Sequence, residues 1–517
     1  FGEAPMLMGR ALARSAQRHP DKTAVIFEDR SWTYREFNAR VNRLAHALSG
    51  LGLGKGDKLA VLALNGPEYL EIYHATAKLG VWMVPINHRL KAPDMAYRIS
   101  HSQASGLALG PEFVLLYDSL PAEARRAVGD CLLILGEGPA VNGGHSYEEL
   151  LATSSEEEPE ANLHPEDILF IGYTGGTTGR SKGALTSNRA IVAGYLYKVL
   201  DYGLGQGEVT LNPGPFWHTA PRNFTSLALY MGGTAVVMKN FDAAQYLRLV
   251  QTHKVTYSFL VPTMFSAILG LKDHQRYDTF SLKVLTSGGS PMPTPVKEAA
   301  LERFGPVLYE FYAATETLII TNIAAKDMLR KKRSVGPPAW DVFLKLLDEE
   351  GNRVPDGEVG EIYLQGPSLF SGYFRDEEKT AAAMKDGWFT LGDMGRLDED
   401  GFLYIVDRRT DMVISGGENI YPSEVEEVLL RHPKVAEAAV IGVPDAKWGE
   451  VLKAVVVLRE GQSSSLEELQ GFCAQRLADY LKPRSVDFVE ELPRSPVGKI
   501  LKRKLRDQYW AGSEFKV

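Results

Sequence analysis

The sequence predicts an α/β protein: a large N-terminal domain of doubly wound sheets carrying a β-subdomain, followed by a small α+β C-terminal domain. Three textures along the chain lead there. Apolar runs of strand length alternate with helical periodicity through the first part of the chain. From about residue 340 the runs become short and are punctuated by turns rich in Gly, Asp and Pro. After Asp407-Arg408-Arg409-Thr410-Asp411, helix and strand patterns return in a compact final region.

In chain order, Thr33-Tyr34-Arg35-Glu36 predicts a capping box, and Phe37, Val41, Leu44, Ala45 and Leu48 then line one helix face up to Gly50. Lys58–Leu64 is nearly continuous in apolar residues, as a strand covered on both faces requires. A helix is expected from Pro67 to Leu79, stopping at Gly80, with a strand resuming over Val81–Ile86. Thr234–Met238, Val255–Leu260 and Leu282–Leu285 repeat the rhythm, and such a sheet binds ligands beyond the carboxyl ends of its strands. Phe343–Asp348, Gly360–Leu364 and Phe402–Val406 are the expected strands of the β-subdomain. In the last region Ser423-Glu424-Val425-Glu426 and Ser465-Leu466-Glu467-Glu468 predict two more capping boxes, and Val435–Val443 and Lys453–Leu458 two strands.

Composition narrows the function classes. At 517 residues the chain has room for roughly two to four folding units. An apolar fraction of 44% with 24% charged residues is that of an ordinary globular protein, and a net charge of −8 argues against a nucleic-acid partner. Cys131 and Cys473 are too few for a disulfide framework or a zinc site, which points to a reducing, cytoplasmic compartment. No apolar run approaches the ~20 residues of a membrane span, and no charged-then-apolar leader pattern opens the chain.

The chemistry concentrates in Ile171-Gly172-Tyr173-Thr174-Gly175-Gly176-Thr177-Thr178-Gly179-Arg180-Ser181-Lys182-Gly183. Glycines let backbone N–H groups turn toward an oxyanion, and the hydroxyls and Lys182 add donors and charge, so the loop suits a polyphosphate. It is not the Walker loop, because Gly183 follows the lysine. Asp167–Ile171 ahead of it reads as a buried strand; Ser187 or Asn188 behind it can cap a helix. Tyr309–Thr317 offers an aromatic ring, hydroxyls and the carboxylate of Glu316 near a strand end, a set able to stack a base and hold Mg²⁺. Trp388-Phe389-Thr390-Leu391-Gly392-Asp393 places a carboxylate after a tight turn, suited to a ribose diol.

These blocks, with Asp407–Pro422 and Pro493-Arg494-Ser495-Pro496-Val497-Gly498-Lys499-Ile500, resemble the AMP-forming acyl- and aryl-CoA synthetases of the adenylate-forming superfamily, such as fatty-acid, 4-coumarate and benzoate CoA ligases. The likeness runs nearly end to end. It implies an N-terminal domain over 1–409 that binds ATP and the acid, and a mobile C-terminal domain over 410–517 that pivots at Thr410. It implies that Thr174, Gly175, Gly176, Thr177, Thr178, Gly179 and Lys182 hold the β- and γ-phosphates of ATP. Gly288, Gly289 and Ser290 then line the adenine pocket, and Tyr312 stacks on the base. Thr315 touches the α-phosphate, Glu316 holds Mg²⁺, and Asp393 and Arg408 bind the ribose with Tyr404 nearby. Lys499 bridges the substrate carboxylate and the α-phosphate, and Gly416 and Gly417 line the tunnel for coenzyme A.

Three departures from the family pattern leave nucleotide binding expected and bear on the substrate pocket. Relatives usually carry Thr-Ser-Gly for Thr174-Gly175-Gly176, Pro-Lys-Gly for Ser181-Lys182-Gly183, and a glycine where Ala313 stands. Pro215–Phe224 resembles the family's Pro-Leu-Phe-His block and makes Trp217, His218, Arg222, Met264 and Ala313 the expected acyl-pocket residues. The block lacks the aspartate that pairs with an amino group in peptide-synthetase domains, so an apolar or aromatic acid is expected over an amino acid. Arg222 reads either as a solvated side chain or as a partner for a second anionic group. The implied partners are a small carboxylic acid, ATP and coenzyme A; a homodimer is left open. A carrier protein as acyl acceptor, and a silent nucleotide-binding homologue, are the alternatives.

Overall fold

The computed structural model describes residues 7–136, 141, 143–174, 181–416, 418–445, 447–494 and 500–510. They group into two compact units. One contains the chain up to Thr174, Ser181–Phe343 and Gln365–Ala382; the other contains Leu344–Leu364 and the chain from Ala383 onward.

The first unit holds two sheets. One runs, in spatial order, Gly144–Ser146, Leu132–Ile134, Gly106–Leu109, Lys58–Leu62, Trp82–Pro85, Ile168–Tyr173 and Gly183–Ser187, all parallel except the last, antiparallel pair. The other runs Thr321–Ala324, Leu308–Tyr312, Val284–Ser287, Tyr257–Leu260, Val209–Leu211, Thr234–Val237, Thr23–Phe27 and Arg30–Thr33. Its six inner strands are parallel and only its two edges are antiparallel. Helices Tyr34–Gly50, Pro67–Leu79, Asn188–Tyr202 and Thr219–Met231 contribute Phe37, Tyr73, Tyr195 and Phe224 to one buried cluster with Phe170. This is the doubly wound architecture that the alternating pattern predicts.

Local signals account for several boundaries. The Thr33 capping box is present in both directions: the Glu36 N–H donates to the Thr33 hydroxyl, and the Thr33 N–H donates to the Glu36 carboxylate at 2.8 Å. Pro67 sits in the first turn of its helix, and Gly80 ends it at φ +73°, a conformation that costs a glycine little. Ser187, not Asn188, caps the helix after the glycine-rich loop, accepting from the Ala190 N–H. Between loop and cap lies a strand, Gly183–Ser187, that the hydroxyl- and glycine-rich sequence did not announce.

In the second unit, Leu344–Leu347, Gly360–Leu364, Trp388–Leu397 and Leu403–Arg408 belong to the β-subdomain. Val413–Ser415, Glu418–Ile420, Val435–Asp445, Gly449–Leu458 and Ser485–Phe488 form a separate sheet. Two expectations change here. The helix expected to start with a Ser423 box runs Pro422–Leu430, with Pro422 in its first turn, so Ser423 is already inside it. Its N–H donates to Asp407 at 3.0 Å and its hydroxyl to the Val406 carbonyl. Ser465 does cap its helix, but Glu468 turns to Lys434 and Ser464 instead of closing a box.

Candidate active site

The carboxyl ends of the parallel strands assemble most of the expected site in the first unit. Strands 308–312, 284–287, 257–260 and 209–211 lie side by side. Beyond their ends stand, respectively, Ala313–Glu316, Gly288–Ser290, the helix Pro262–Leu269 with half-buried Met264, and the turn leading to Trp217 and His218.

The loop Gly288–Met292 is shaped by its neighbours. A Cβ on Gly288 would lie 2.8 Å from the Phe311 ring, and Gly289 adopts φ +88°, so both positions require glycine. Behind the loop, buried Glu310 accepts from the Met292 N–H at 3.1 Å and pairs with Lys297 at 2.5 Å. Tyr312 and Ser290 are half-buried here.

Strands Ile168–Tyr173 and Gly183–Ser187 form a hairpin, with the Thr174 N–H donating to the Lys182 carbonyl at 2.9 Å. The loop between them, with Gly175, Gly176, Thr177, Thr178 and Gly179, lies outside the described residues. Its edges are held by groups that the sequence did not single out. Arg98 donates to the Ser181 hydroxyl at 3.1 Å, and the Tyr173 hydroxyl lies 2.8 Å from His101 Nδ1. Ser181, a departure from the family pattern, thus has its own partner.

Lys182, Thr315 and Glu316 are brought together. Gly172 at the end of the strand packs so closely on Thr315 that a Cβ would lie 2.5 Å from its methyl. The segment 371–374 runs along strand 183–187, with the Phe374 N–H donating to the Gly183 carbonyl at 2.8 Å, and delivers Tyr373 between two of the expected groups. The Tyr373 hydroxyl donates to the buried Glu316 carboxylate at 2.9 Å, and the Lys182 ammonium lies 4.6 Å from the centre of the Tyr373 ring. Burial, and then the Glu316 charge, hold the Tyr373 phenol well above its ordinary pKa, so it remains a donor. The sequence reading missed Tyr373; the Ser371-Gly372-Tyr373 turn, with Gly372 at φ +119°, was its one local signal.

Around the expected acyl pocket, Phe224 stacks on Phe259 and both meet Phe311 at a tilt, with ring centres 5.5 to 5.8 Å apart. Ala313 packs against this core. His218 begins the helix Thr219–Met231, its Nδ1 accepting from the Ala220 N–H at 3.4 Å, and its ring meets Trp217. Arg222 corrects the solvated reading: it is fully buried, over the Phe170 ring at 4.4 Å. The described contacts set its guanidinium against Phe170 and Tyr73, not against Met264 or Ala313.

In the second unit, Asp393 and Arg408 face each other across a strand pair, with Arg408 Nε 3.2 Å from the buried Asp393 carboxylate. Asp393 stands within the ten-residue strand Trp388–Leu397, directly after Gly392, where a φ of +74° and a shift of pairing register make a local bend in place of a separate turn. Tyr404 pairs with Arg396 further along the same strands, and its hydroxyl donates to Asp398 at 3.1 Å, which separates it from Asp393. Thr410 is exposed, its carbonyl accepting from Arg506 at 2.6 Å. Gly416 has φ +62°, and a Cβ there would lie 2.7 Å from the Trp448 ring. Gly417 and Lys499 lie outside the described residues.

Among the described residues no three His, Cys, Asp or Glu side chains gather as a metal site. A single buried carboxylate with hard oxygen donors, as at Glu316, suits Mg²⁺ shared with phosphate oxygens.

The fold and the clustered blocks define an adenylate-forming enzyme. The family models agree: "AMP-binding enzyme" matches residues 12–374 and "AMP-binding enzyme C-terminal domain" matches 424–499, so the chain belongs to the AMP-binding enzyme family. Among its relatives are a feruloyl-CoA synthase of an Amycolatopsis species and an indoleacetate–CoA ligase of Aromatoleum aromaticum. The first is 36% identical over 97% of this chain and 99% of its own length, the second 35% over 97% and 98%. The solved o-succinylbenzoate coenzyme A synthetase of Bacillus subtilis, in complex with AMP, superposes with a TM-score of 0.84 at 31% identity, covering 96% of this chain and 98% of that one.

Proposed function

We propose that the chain is an ATP-dependent carboxylate–CoA ligase for an apolar or aromatic acid, working in a cytoplasmic compartment. The carboxylate oxygen attacks the α-phosphorus of ATP, the bond to the β-phosphate oxygen breaks, and pyrophosphate leaves. The thiolate of coenzyme A then attacks the acyl carbonyl, forming a thioester and releasing AMP. The observation that carries this reading is the line from half-buried Lys182 through Tyr373 to buried Glu316, beside Thr315, at the mouth of the glycine-rich hairpin.

Two anions must meet in the first step, so the site needs fixed positive charge and donors more than a base. Lys182 and the loop donors bind the leaving phosphates, and Thr315 contacts the α-phosphate. Tyr373 fixes the carboxylate of Glu316, the residue that would hold Mg²⁺; the metal, when bound, neutralises phosphate charge. Asp393 and Arg408 take the ribose hydroxyls, and Gly288–Ser290 with Tyr312 take the base. Lys499 comes from the C-terminal domain, and coenzyme A must reach the same carbonyl afterwards. The region 410–517 therefore adopts two arrangements through a pivot at Thr410.

The test is a pyrophosphate-release assay over a panel of aromatic, fatty and amino acids, followed by coenzyme A or a holo-carrier protein. An aromatic or fatty acid that releases pyrophosphate, with thioester formed on coenzyme A, is the expected result. Thioester formed only on the carrier would replace the acceptor, and no acid-dependent release would defeat the proposal.

A further inference from the structure

The turn that carries Trp217 and His218 is pinned by two buried polar side chains for which the adenylation chemistry has no use. Asn65, just beyond strand 58–62, is 5% exposed. Its Oδ1 accepts from the Phe216 N–H at 2.7 Å, and its Nδ2 donates to the carbonyls of Gly214 at 2.9 Å and Met238 at 3.1 Å. Arg222, in the first turns of the helix Thr219–Met231, donates from Nη1 to the Phe216 carbonyl at 3.1 Å. Both backbone groups of Phe216 and the carbonyl of Gly214 are thus held by side chains, immediately before Trp217.

Arg222 is a costly way to hold a carbonyl. It is 0% exposed, its guanidinium lies over Phe170 at 4.4 Å and Tyr73 at 5.3 Å, and among the described residues it has no acidic partner. Among the described residues its Nε and Nη2 make no hydrogen bond of good geometry; their polar company is the buried Tyr69 and Tyr73 hydroxyls, which interact with the guanidinium but carry no counter-charge. A buried cation without a counter-charge is unfavourable by several kcal/mol, and an apolar side chain of similar volume would fill the space more cheaply. What the apolar side chain could not do is hold Phe216.

We propose that Asn65 and Arg222 are positioning residues, a polar clamp on Gly214–Phe216 that sets where Trp217 and His218 stand and so determines which acids are accepted. This inference rests on the reading of Trp217 and His218 as acyl-pocket wall. The clamp touches no reacting atom. It acts on the acid, not on ATP.

The test uses the full-length enzyme and two aromatic acids of different ring size, with KM for acid and ATP, kcat and Tm measured for Arg222→Met, Asn65→Asp and His218→Ala. Arg222→Met fills the volume and removes the unpaired charge, so Tm holds or rises. KM for the acid should rise about tenfold, the scale of one lost buried hydrogen bond, while KM for ATP stays put and the kcat/KM ratio of the two acids changes. Asn65→Asp keeps the acceptor for Phe216 but turns two donor contacts into oxygen–oxygen repulsion, and should shift the same quantities. If acid and ATP constants worsen together with Tm, both residues are merely structural and the clamp is overturned. His218→Ala separates the remaining failures. A changed acid ratio there, with none in the clamp variants, overturns the clamp alone; no change in any variant overturns the pocket reading.

Discussion

Replacing Tyr373 by Phe removes a single oxygen from the middle of the Lys182–Tyr373–Glu316 line. The ring stays, so the Lys182 ammonium keeps its aromatic face at 4.6 Å; only the 2.9 Å donation to Glu316 is lost. That acceptor is buried, at 6% exposure, so water does not freely replace the donor. A hydrogen bond to a charged, buried acceptor contributes about 1.5–3 kcal/mol, equivalent to roughly 10- to 150-fold. Acid-dependent ATP–pyrophosphate exchange should therefore fall by about that factor, and the Mg²⁺ concentration for half-maximal exchange should rise, while Tm moves little. The assay is exchange as a function of free Mg²⁺ at saturating acid. Unchanged exchange and unchanged Mg²⁺ dependence would refute the idea that Tyr373 positions Glu316 for the metal.

Other perturbations test neighbouring parts of the account. Gly172→Ala places a methyl against the Thr315 methyl, now 2.5 Å from where that Cβ would stand, and should slow exchange about tenfold. Adding Thr315→Ser, which deletes the obstructing methyl and keeps the hydroxyl, should restore most of the rate; no rescue would mean that the clash is not the cause. Gly416→Ala combines a φ of +62° with a contact 2.7 Å from the Trp448 ring, and should slow thioester formation while exchange persists. Equal loss of both half-reactions would exclude a specific role in the second step. His74 is fully buried, neither ring nitrogen has a hydrogen-bond partner among the described residues, and burial, then the Lys78 charge, bring its pKa from 6.5 to about 3. Because the unfolded chain takes up a proton that the folded one refuses, stability falls as pH drops from 6.5 toward 3, by at most about 1.4 kcal/mol per pH unit. His74→Leu should flatten that part of the acid limb in urea titrations; an unchanged limb would show that other groups carry it.

What was legible in the sequence was what local chemistry decides. The Thr33 box, the Pro67 start and the Gly80 stop depend on residues within a few positions of one another, and each stands where expected. The parallel strands were legible because burial on both faces leaves continuous apolar runs. Strand 183–187 was not, since Gly, Ala, Leu, Thr and Ser carry no strand pattern and its pairing comes from strand 168–173 across the loop. Ser423 misled for a related reason: Pro422 can open a helix, and the serine then found Asp407 and Val406, remote in sequence, instead of its own N–H groups. Pairing register hid the separation of Tyr404 from Asp393, and tertiary packing alone reveals that Tyr373 meets Glu316 and that Arg222 is buried.

The most direct test of the central claim separates the two half-reactions in Lys499→Ala. If one chain first adenylates the acid with Lys499 and then transfers the acyl group without it, acid-dependent ATP–pyrophosphate exchange should fall by about 10²–10³, the scale for losing one preorganised charged donor. Thioester formation from presynthesised acyl-adenylate and coenzyme A should remain nearly intact. Equal loss of both half-reactions, or exchange at the unmodified rate, would contradict the account.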